Sequence, residues 1–158
     1  MEKEDIRYQT YVQILKEELI PAMGCTEPIA ISYCAAKARA VLGCIPEDCL
    51  VEASGNIIKN VKSVVVPNTD GLKGIEAAAA AGIVAGKEER ILEVISAVTQ
   101  DQKKEIRKYL DQKRIRVKPL ETEELLDIVI QVHGGGHKVK VRIAGYHSNI
   151  VRIEKDGD

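Results

Sequence analysis

The residue best placed for chemistry is Cys25, which stands in the run Gly24-Cys25-Thr26-Glu27-Pro28. Thr26 is a favoured helix cap and Pro28 is tolerated in a first helical turn, so the run predicts that a helix starts here. A thiol just outside the positive end of a helix is favoured as the thiolate. Cys25 is therefore a candidate reactive group. The alternative is a small buried residue beside an ordinary cap.

A second polar cluster follows a predicted strand, in the run Ser54-Gly55-Asn56-Ile57-Ile58-Lys59-Asn60. Its hydroxyl, amide and ammonium groups suit a small zwitterion, because an asparagine side chain can accept a hydrogen bond from an ammonium group and donate one to a carboxylate. The alternative is a polar turn with a solvated lysine.

A third candidate is the turn Asn68-Thr69-Asp70-Gly71, which precedes an alanine-rich helix. Backbone N–H groups at such a helix start could hold a carboxylate or a phosphate. The turn lacks the Lys-Ser/Thr ending of a P-loop, so it does not indicate nucleotide binding. The alternative is a simple turn and helix cap.

The three histidines are weaker candidates. His133 and His137 flank three glycines, and because glycine disfavours helices the pair does not indicate a helical metal motif. A hairpin turn with solvated imidazoles is the prediction there. The run His147-Ser148-Asn149 is a polar cluster before a strand and would by itself be a loop.

Composition restricts the kinds of partner. The 158 residues carry 23 Lys and Arg against 24 Asp and Glu, and this balance does not favour nucleic acid or an anionic membrane. We expect a cytoplasmic location, because neither an N-terminal leader pattern nor a long apolar run is found. The four cysteines lack a Cys-x-x-Cys pair, which argues against a zinc site or a disulfide framework.

The hydropathy pattern predicts an α+β fold, with an alanine-rich helical half followed by a mixed α/β half that ends in an antiparallel sheet. Predicted helices cover 4–20, 28–42 and 75–85, with two more between 87 and 113. Predicted strands cover 50–54, 61–66, 115–117, 127–133, 138–144 and 149–154. We expect two segments, 1–86 as the N-terminal part of a helical catalytic domain and 87–158 as an α/β accessory module. The helices at 28–42 and 75–85 are apolar around most of their circumference, so we expect an uncovered apolar face and self-association there.

Taken together, several runs in this order resemble the L-cysteine desulfidase family, which is related to the α-chain of iron–sulfur-dependent L-serine dehydratases. The resemblance extends over essentially the whole chain. Its motifs are Glu18 to Pro28, Ser54 to Asn60, Val65 to Thr69 and His147 to Val151.

The resemblance implies a lyase that converts L-cysteine to pyruvate, sulfide and ammonia with a [4Fe–4S] cluster. In that family the cysteine that corresponds to Cys25 is thought to act near the cluster, as a base or as an exchangeable ligand. The substrate-binding residues indicated are Thr26, Glu27, Ser54, Asn56, Lys59, Asn60, Asn68, Thr69, His147 and Asn149. The substrate would be L-cysteine, L-serine or a related amino acid, and a homo-oligomer is expected.

Two departures from the family pattern matter. Family members are much longer, and because Cys49 is the last cysteine of this chain, the other cluster ligands are absent. No cluster is therefore expected in this chain alone, which should be inactive without a C-terminal cluster-bearing portion or subunit. In addition, Asn68 and Asp70 stand where relatives more often have glycine.

Two other functions remain open. One is a non-catalytic small-ligand or subunit-interaction module that works with a separate cluster-bearing chain. The other, a thiol redox sensor that uses Cys25, is less favoured because no resolving cysteine is adjacent.

Overall fold

A computed structural model describes residues 26–158, so Cys25 and the helix predicted at 4–20 lie outside the described residues. The chain order begins with a long helix and ends with three consecutive strands. The elements are α1 (Thr26–Leu42), β1 (Asp48–Ala53), α2 (Gly55–Val61), α3 (Gly74–Ala85), a 3₁₀ helix (Glu88–Glu93), α4 (Gln100–Asp111), β2 (Ile115–Pro119), β3 (Asp127–Gly134), β4 (His137–Ala144) and β5 (Ile150–Lys155).

The five strands form one sheet in the order β2-β1-β3-β4-β5. β1 and β2 are parallel, and all the other neighbours are antiparallel, which confirms the α+β class. β1 precedes residue 86 and β2 to β5 follow it, so one sheet joins the two expected segments. The roles assigned to 1–86 and 87–158 stay a prediction.

The pattern of side chains gives the sheet two different faces. Alternate residues of the central strands, such as Val51, Ile130 and Val141, are paired across the sheet and fully buried beneath the helices. Their neighbours along the strands point to the opposite face, because successive side chains of a strand alternate. Gln131, Lys140 and other polar residues lie on that second face.

α1 and α3 pack on the buried face and against each other. The hydroxyl of Ser32 on α1 donates to the carbonyl of Ala78 on α3 at 2.6 Å. A Cβ atom at Gly82 would lie 2.1 Å from the carbonyl oxygen of Ser32, so only glycine permits this approach. The small side chains of α3 thus serve close helix packing.

The expected uncovered apolar face on α1 and α3 is wrong. Nearly every apolar residue of both helices is buried, because the sheet, the 3₁₀ helix and α4 cover them. Self-association through these two helices is therefore not supported. Within residues 26–158, no helix has both the length and the apolar character that crossing a bilayer would require.

The strand predicted at 61–66 is also wrong. Val61 ends α2, and Val65 makes only an isolated bridge with Lys73. The amide of Val66 donates to the carbonyl of Leu72 at 2.8 Å, which closes a loop rather than extending a sheet. Val61 and Val66 therefore fill the core from a helix end and a loop, while Val65 is exposed.

The predicted helix break near residues 99–101 is confirmed. Thr99 caps α4 in a capping box, in which its hydroxyl accepts from the amide of Gln102 at 3.1 Å and its own amide donates to the Gln102 side chain at 2.9 Å. The predicted hairpin is confirmed as well, since β3 and β4 pair up to Gly134 and His137.

Candidate functional site

The direction of α1 identifies the end of the fold at which the motifs gather. The thiol of Cys34 donates to the carbonyl of Val141 in the middle of β4, and Leu42 lies against Gly134 at the hairpin. Thr26 begins about 12 Å before Cys34 along the helix. β4 extends about 10 Å from Val141 to its last residue. The first turn of α1 is therefore level with the end of β4, away from the hairpin.

α2 and α3 begin at the same end. α3 runs parallel to α1, because Gly82 approaches Ser32 and Gly86 approaches Ala36. The amide of Ser54, just before α2, donates to the carbonyl of Asp127 at the start of β3. We call this the helix-start end: α1, α2 and α3 begin there, β1 and β4 end there, and β3 and β5 begin there.

Ser54 holds the backbone at the helix-start end. Its side chain is buried, and its hydroxyl donates to the carbonyl of Leu125 at 2.7 Å. On α2, Ile57 faces the core while Asn56, Lys59 and Asn60 are exposed. The cluster read from the sequence therefore divides into one buried residue that fixes a loop and three polar residues that face solvent.

The turn before α3 has the backbone conformation that glycine favours. Asn68 and Asp70 have φ values of 59° and 58°. Asparagine and aspartate tolerate this left-handed region better than other non-glycine residues. The side-chain amide of Asn68 donates to the carbonyl of Ile95 at 2.9 Å, and the buried Thr69 hydroxyl donates to the carbonyl of Val66 at 2.7 Å. Both side chains hold the turn in place.

The loop between β4 and β5 contributes the last motif. The Asn149 side chain donates to the carbonyl of Ala144 at 2.8 Å, and the Asn149 amide donates to the carbonyl of Tyr146 at 3.0 Å. His147 lies between Tyr146 and Asn149 in the loop and is half-buried, with its Nε2 atom shielded from solvent. Residues 26–28 of the first motif and the other three motifs therefore all lie at the helix-start end, although they are far apart in the sequence.

Sequence reasoning missed an ion pair at the same end. Asp127 is fully buried, and its carboxylate accepts two hydrogen bonds from the guanidinium of Arg142, at 2.9 and 2.5 Å, and one from the hydroxyl of Thr122. The hydrogen bond to Asp127 raises the pKa of Arg142. The signal lay in the hairpin: once its register is known, Asp127 and Arg142 fall on the same face near the hairpin's open end.

The electrostatics of the helix-start end favour an anion. Two long helices, α1 and α3, direct their positive dipole ends to this end. Lys59 adds an exposed ammonium group. Glu27 and Glu76, in the first turns of α1 and α3, place carboxylates at the same end. Charged groups of both signs therefore lie at the helix-start end.

The described thiols do not fit an iron–sulfur cluster. Cys34 and Cys49 are buried, and burial raises the pKa of both thiols, that of Cys49 to about 12. Cluster ligands are thiolates, so this shift opposes ligation. Cys44 is exposed but lies at the opposite end, beside Gly134. No group of three or more metal-ligating side chains occurs among residues 26–158.

His133 and His137 lie away from the helix-start end, at the hairpin. Nδ1 of His133 is 2.7 Å from Oδ1 of Asp48, and Nδ1 of His137 is 2.7 Å from Oδ2 of Asp156. Both imidazoles are about half exposed, as predicted for a hairpin turn. The pKa of Asp156 is lowered, mainly because its carboxylate accepts a hydrogen bond from the backbone amide of Lys138 and secondly because it is hydrogen-bonded to the His137 ring.

The chain is similar to proteins of bacteria that are described only as UPF0597 proteins. It is 60 % identical over 158 residues to one from Desulfitobacterium hafniense and 48 % identical over 150 residues to one from Lachnoclostridium phytofermentans. A third, from Treponema denticola, is 45 % identical over 152 residues. These matches cover 95–100 % of the chain but 35–37 % of each relative. No family model matches the chain, and no solved structure matches it.

Proposed function

We propose that this chain is the amino-acid-binding N-terminal portion of an L-cysteine desulfidase or a closely related serine dehydratase-like lyase. The observation that supports the proposal is the convergence of the family-like motifs at the helix-start end. Four runs that are distant in sequence meet where two long helices begin, which favours the carboxylate of an amino acid.

In this proposal the described residues bind and orient the substrate. The positive dipole ends at the starts of α1 and α3 attract the carboxylate, and Lys59 on α2 adds an exposed ammonium group. Glu27 pairs with the ammonium group. Ser54, Asn68, Thr69 and Asn149 act indirectly, by fixing the loops from which these groups extend. Asn56, Asn60 and His147 complete the polar lining.

Cys25 is the proposed base that removes the α-proton of the substrate. It is joined to Thr26 by the chain, and a thiolate next to a helix start is stabilised there. Because the described thiols do not fit a cluster, a [4Fe–4S] group would need ligands from a longer chain or from a second subunit. The cytoplasmic location also stays a prediction.

Binding can be tested by nuclear magnetic resonance, with the 158-residue chain titrated separately with L-cysteine, L-serine and cysteamine. Cysteamine lacks the carboxylate that the helix starts are proposed to hold. We expect both amino acids to shift amides at residues 26–27, 55–60, 68–75 and 145–149, and cysteamine to leave the helix starts unchanged. An identical response to all three compounds would contradict carboxylate recognition.

A pair of lysine variants provides the matched control. Lys59→Ala should weaken amino-acid binding, because it removes the exposed ammonium group of α2. Lys108→Ala removes an equally exposed ammonium group from the far end of α4 and should have no effect. Equal affinities of the two variants would remove α2 from the site.

The alternative, a non-catalytic module beside a separate cluster-bearing chain, predicts the same binding but a different gene product. Mass analysis of the endogenous protein separates the two. A product near the length of the UPF0597 relatives supports a lyase with its own cluster portion, whereas a 17.3 kDa product supports the module.

A further inference from the structure

The outer edge of the sheet at β5 is open in the described residues. β5 pairs with β4 on one side, and it is the last strand in the sheet order. Its apolar residues remain in water, since Val151 is 51 % exposed and Ile153 is 41 % exposed. An exposed strand with apolar side chains is a template for pairing with another strand.

The hydrogen bonds to β4 show which backbone groups of β5 point outward. The amide of Asp156 donates to the carbonyl of Lys138, and the amide of Lys138 donates to the carboxylate of Asp156, so both N–H groups point into the space between β4 and β5. Residues that point their backbone groups inward alternate along an antiparallel ladder, so Glu154 and Arg152 also turn their backbone groups toward β4. The N–H and C=O groups of Ile153 and Lys155 therefore point away from the sheet.

Only a few registers join two copies of β5 through their outward groups. A two-fold axis through Arg152 places two guanidinium groups opposite each other, and one through Glu154 does the same with two carboxylates. Arg152 and Glu154 form an ion pair with each other within the strand. A two-fold axis through Ile153 sets this pair opposite the same pair of the other copy, so that each Arg152 also faces a Glu154 across the axis. This register also brings the outward backbone groups of the two Ile153 residues together.

We propose that β5 is the interface for a second copy of this chain, joined antiparallel about a two-fold axis at Ile153. The two sheets then continue into one, with Ile153 against Ile153 on one face and two Arg–Glu pairs on the other. Such a surface is self-complementary, as a two-fold interface requires. The charges thus select both the partner and the register.

The opposite edge of the sheet lacks these properties. β2 carries Arg116 and Lys118, both exposed cations, and ends at Pro119. Two copies of β2 would bring like charges together, and proline removes a donor from the edge. β5 contains no proline, and its two central charges have opposite signs. The contrast favours β5 as the edge that pairs.

Sedimentation equilibrium of the 158-residue chain, at up to ~100 μM, tests the proposal through charge reversal. Arg152→Glu and Glu154→Arg should each weaken dimerisation about tenfold or more, because each converts two attractive pairs into repulsive ones. The double variant R152E/E154R restores opposite charges and should restore the dimer. Arg116→Glu, the same reversal on β2, should leave it unchanged.

A proline variant tests the backbone part of the interface. Because the N–H of Ile153 points outward, Ile153→Pro removes no hydrogen bond to β4 and should abolish the dimer in a folded chain, as judged by circular dichroism. A monomeric wild-type chain would overturn the proposal. A structure in which β5 pairs with a later segment of a longer protein, instead of with a second copy, would also overturn it. Dimers that persist in both single reversals, or that are not rescued in the double variant, would also overturn it.

Discussion

The thiols of this chain differ because their surroundings differ. Cys34 and Cys49 are buried among aliphatic side chains, where the thiolate is disfavoured, while Cys44 is exposed. Cys25 adjoins the start of α1 in the sequence, and we predict that it is the most reactive thiol. Timed alkylation at neutral pH with peptide mapping should modify Cys25 first and Cys34 and Cys49 last. Early modification of Cys34 in the folded chain would contradict the helix-start argument.

The same burial predicts a loss of stability in alkali. Below the unfolded pKa of about 8.5, the thiols of Cys34 and Cys49 are protonated in both states. Above it, the unfolded thiols ionise while the folded ones, whose pKa is raised, do not. The unfolded state is therefore favoured as pH rises, by up to about 1.4 kcal/mol per pH unit for each thiol.

Urea unfolding at pH 8 and pH 10 measures this loss. The double variant Cys34→Ala/Cys49→Ala should lose less stability between the two pH values than the wild-type chain. Cys44→Ala should behave like the wild type, because Cys44 is exposed and its removal leaves both buried thiols in place. Equal losses in all three proteins would mean that the buried thiols do not govern the response.

The close contact between α1 and α3 depends on Gly82, which has no side chain. A Cβ at Gly82 would lie within 3 Å of three backbone atoms of Ser32, and backbone cannot move aside as a side chain can. We predict that Gly82→Ala lowers the free energy of unfolding by about 3 kcal/mol. Gly55→Ala, where a Cβ meets nothing within 4 Å, should change it by less than ~1 kcal/mol. Chemical denaturation compares them, and equal stabilities would show that the helices can separate without cost.

The hydropathy pattern correctly predicted the helices and strands in which the apolar residues are also the buried ones. The apolar runs of α1 and α3 and the alternation of β3 and β4 were sufficient, and the fold class followed from them. Val61–Val66 misled because β-branched residues favour strands only when a neighbouring strand is available. Nothing in the sequence indicated that Cys49 of β1 would lie beside Ile115 of β2 in the sheet, because the neighbours of a strand are set by the whole topology.

The motifs of the candidate site were visible in the sequence, but their arrangement was not. Parallel packing of α1 and α3 brings Thr26 and Asn68 to the same end, and this depends on Gly82, whose role is invisible without its neighbour. The ion pair between the buried Asp127 and the partly exposed Arg142 was missed, because an isolated charge at a strand start is indistinguishable from a solvated one.

We expect the 158-residue chain to be inactive by itself. Its described thiols are buried or remote, so we predict that the 158-residue chain neither assembles a stable [4Fe–4S] cluster nor releases sulfide from L-cysteine. Anaerobic reconstitution with iron and sulfide, followed by absorbance and a sulfide assay, checks this. A stoichiometric cluster with turnover would contradict it.

The position of β1 in the sheet has a consequence for how the chain folds. β1 leaves the ribosome early, but both its neighbours, β2 and β3, are synthesised much later. Until they emerge, β1 has no strand to pair with, and the apolar surfaces of α1 and α3 lack the sheet that covers them. Nascent chains of this protein should therefore need shielding by chaperones until the β3–β4 hairpin is complete. Substitutions that weaken that hairpin should reduce the yield of folded protein more than its final stability.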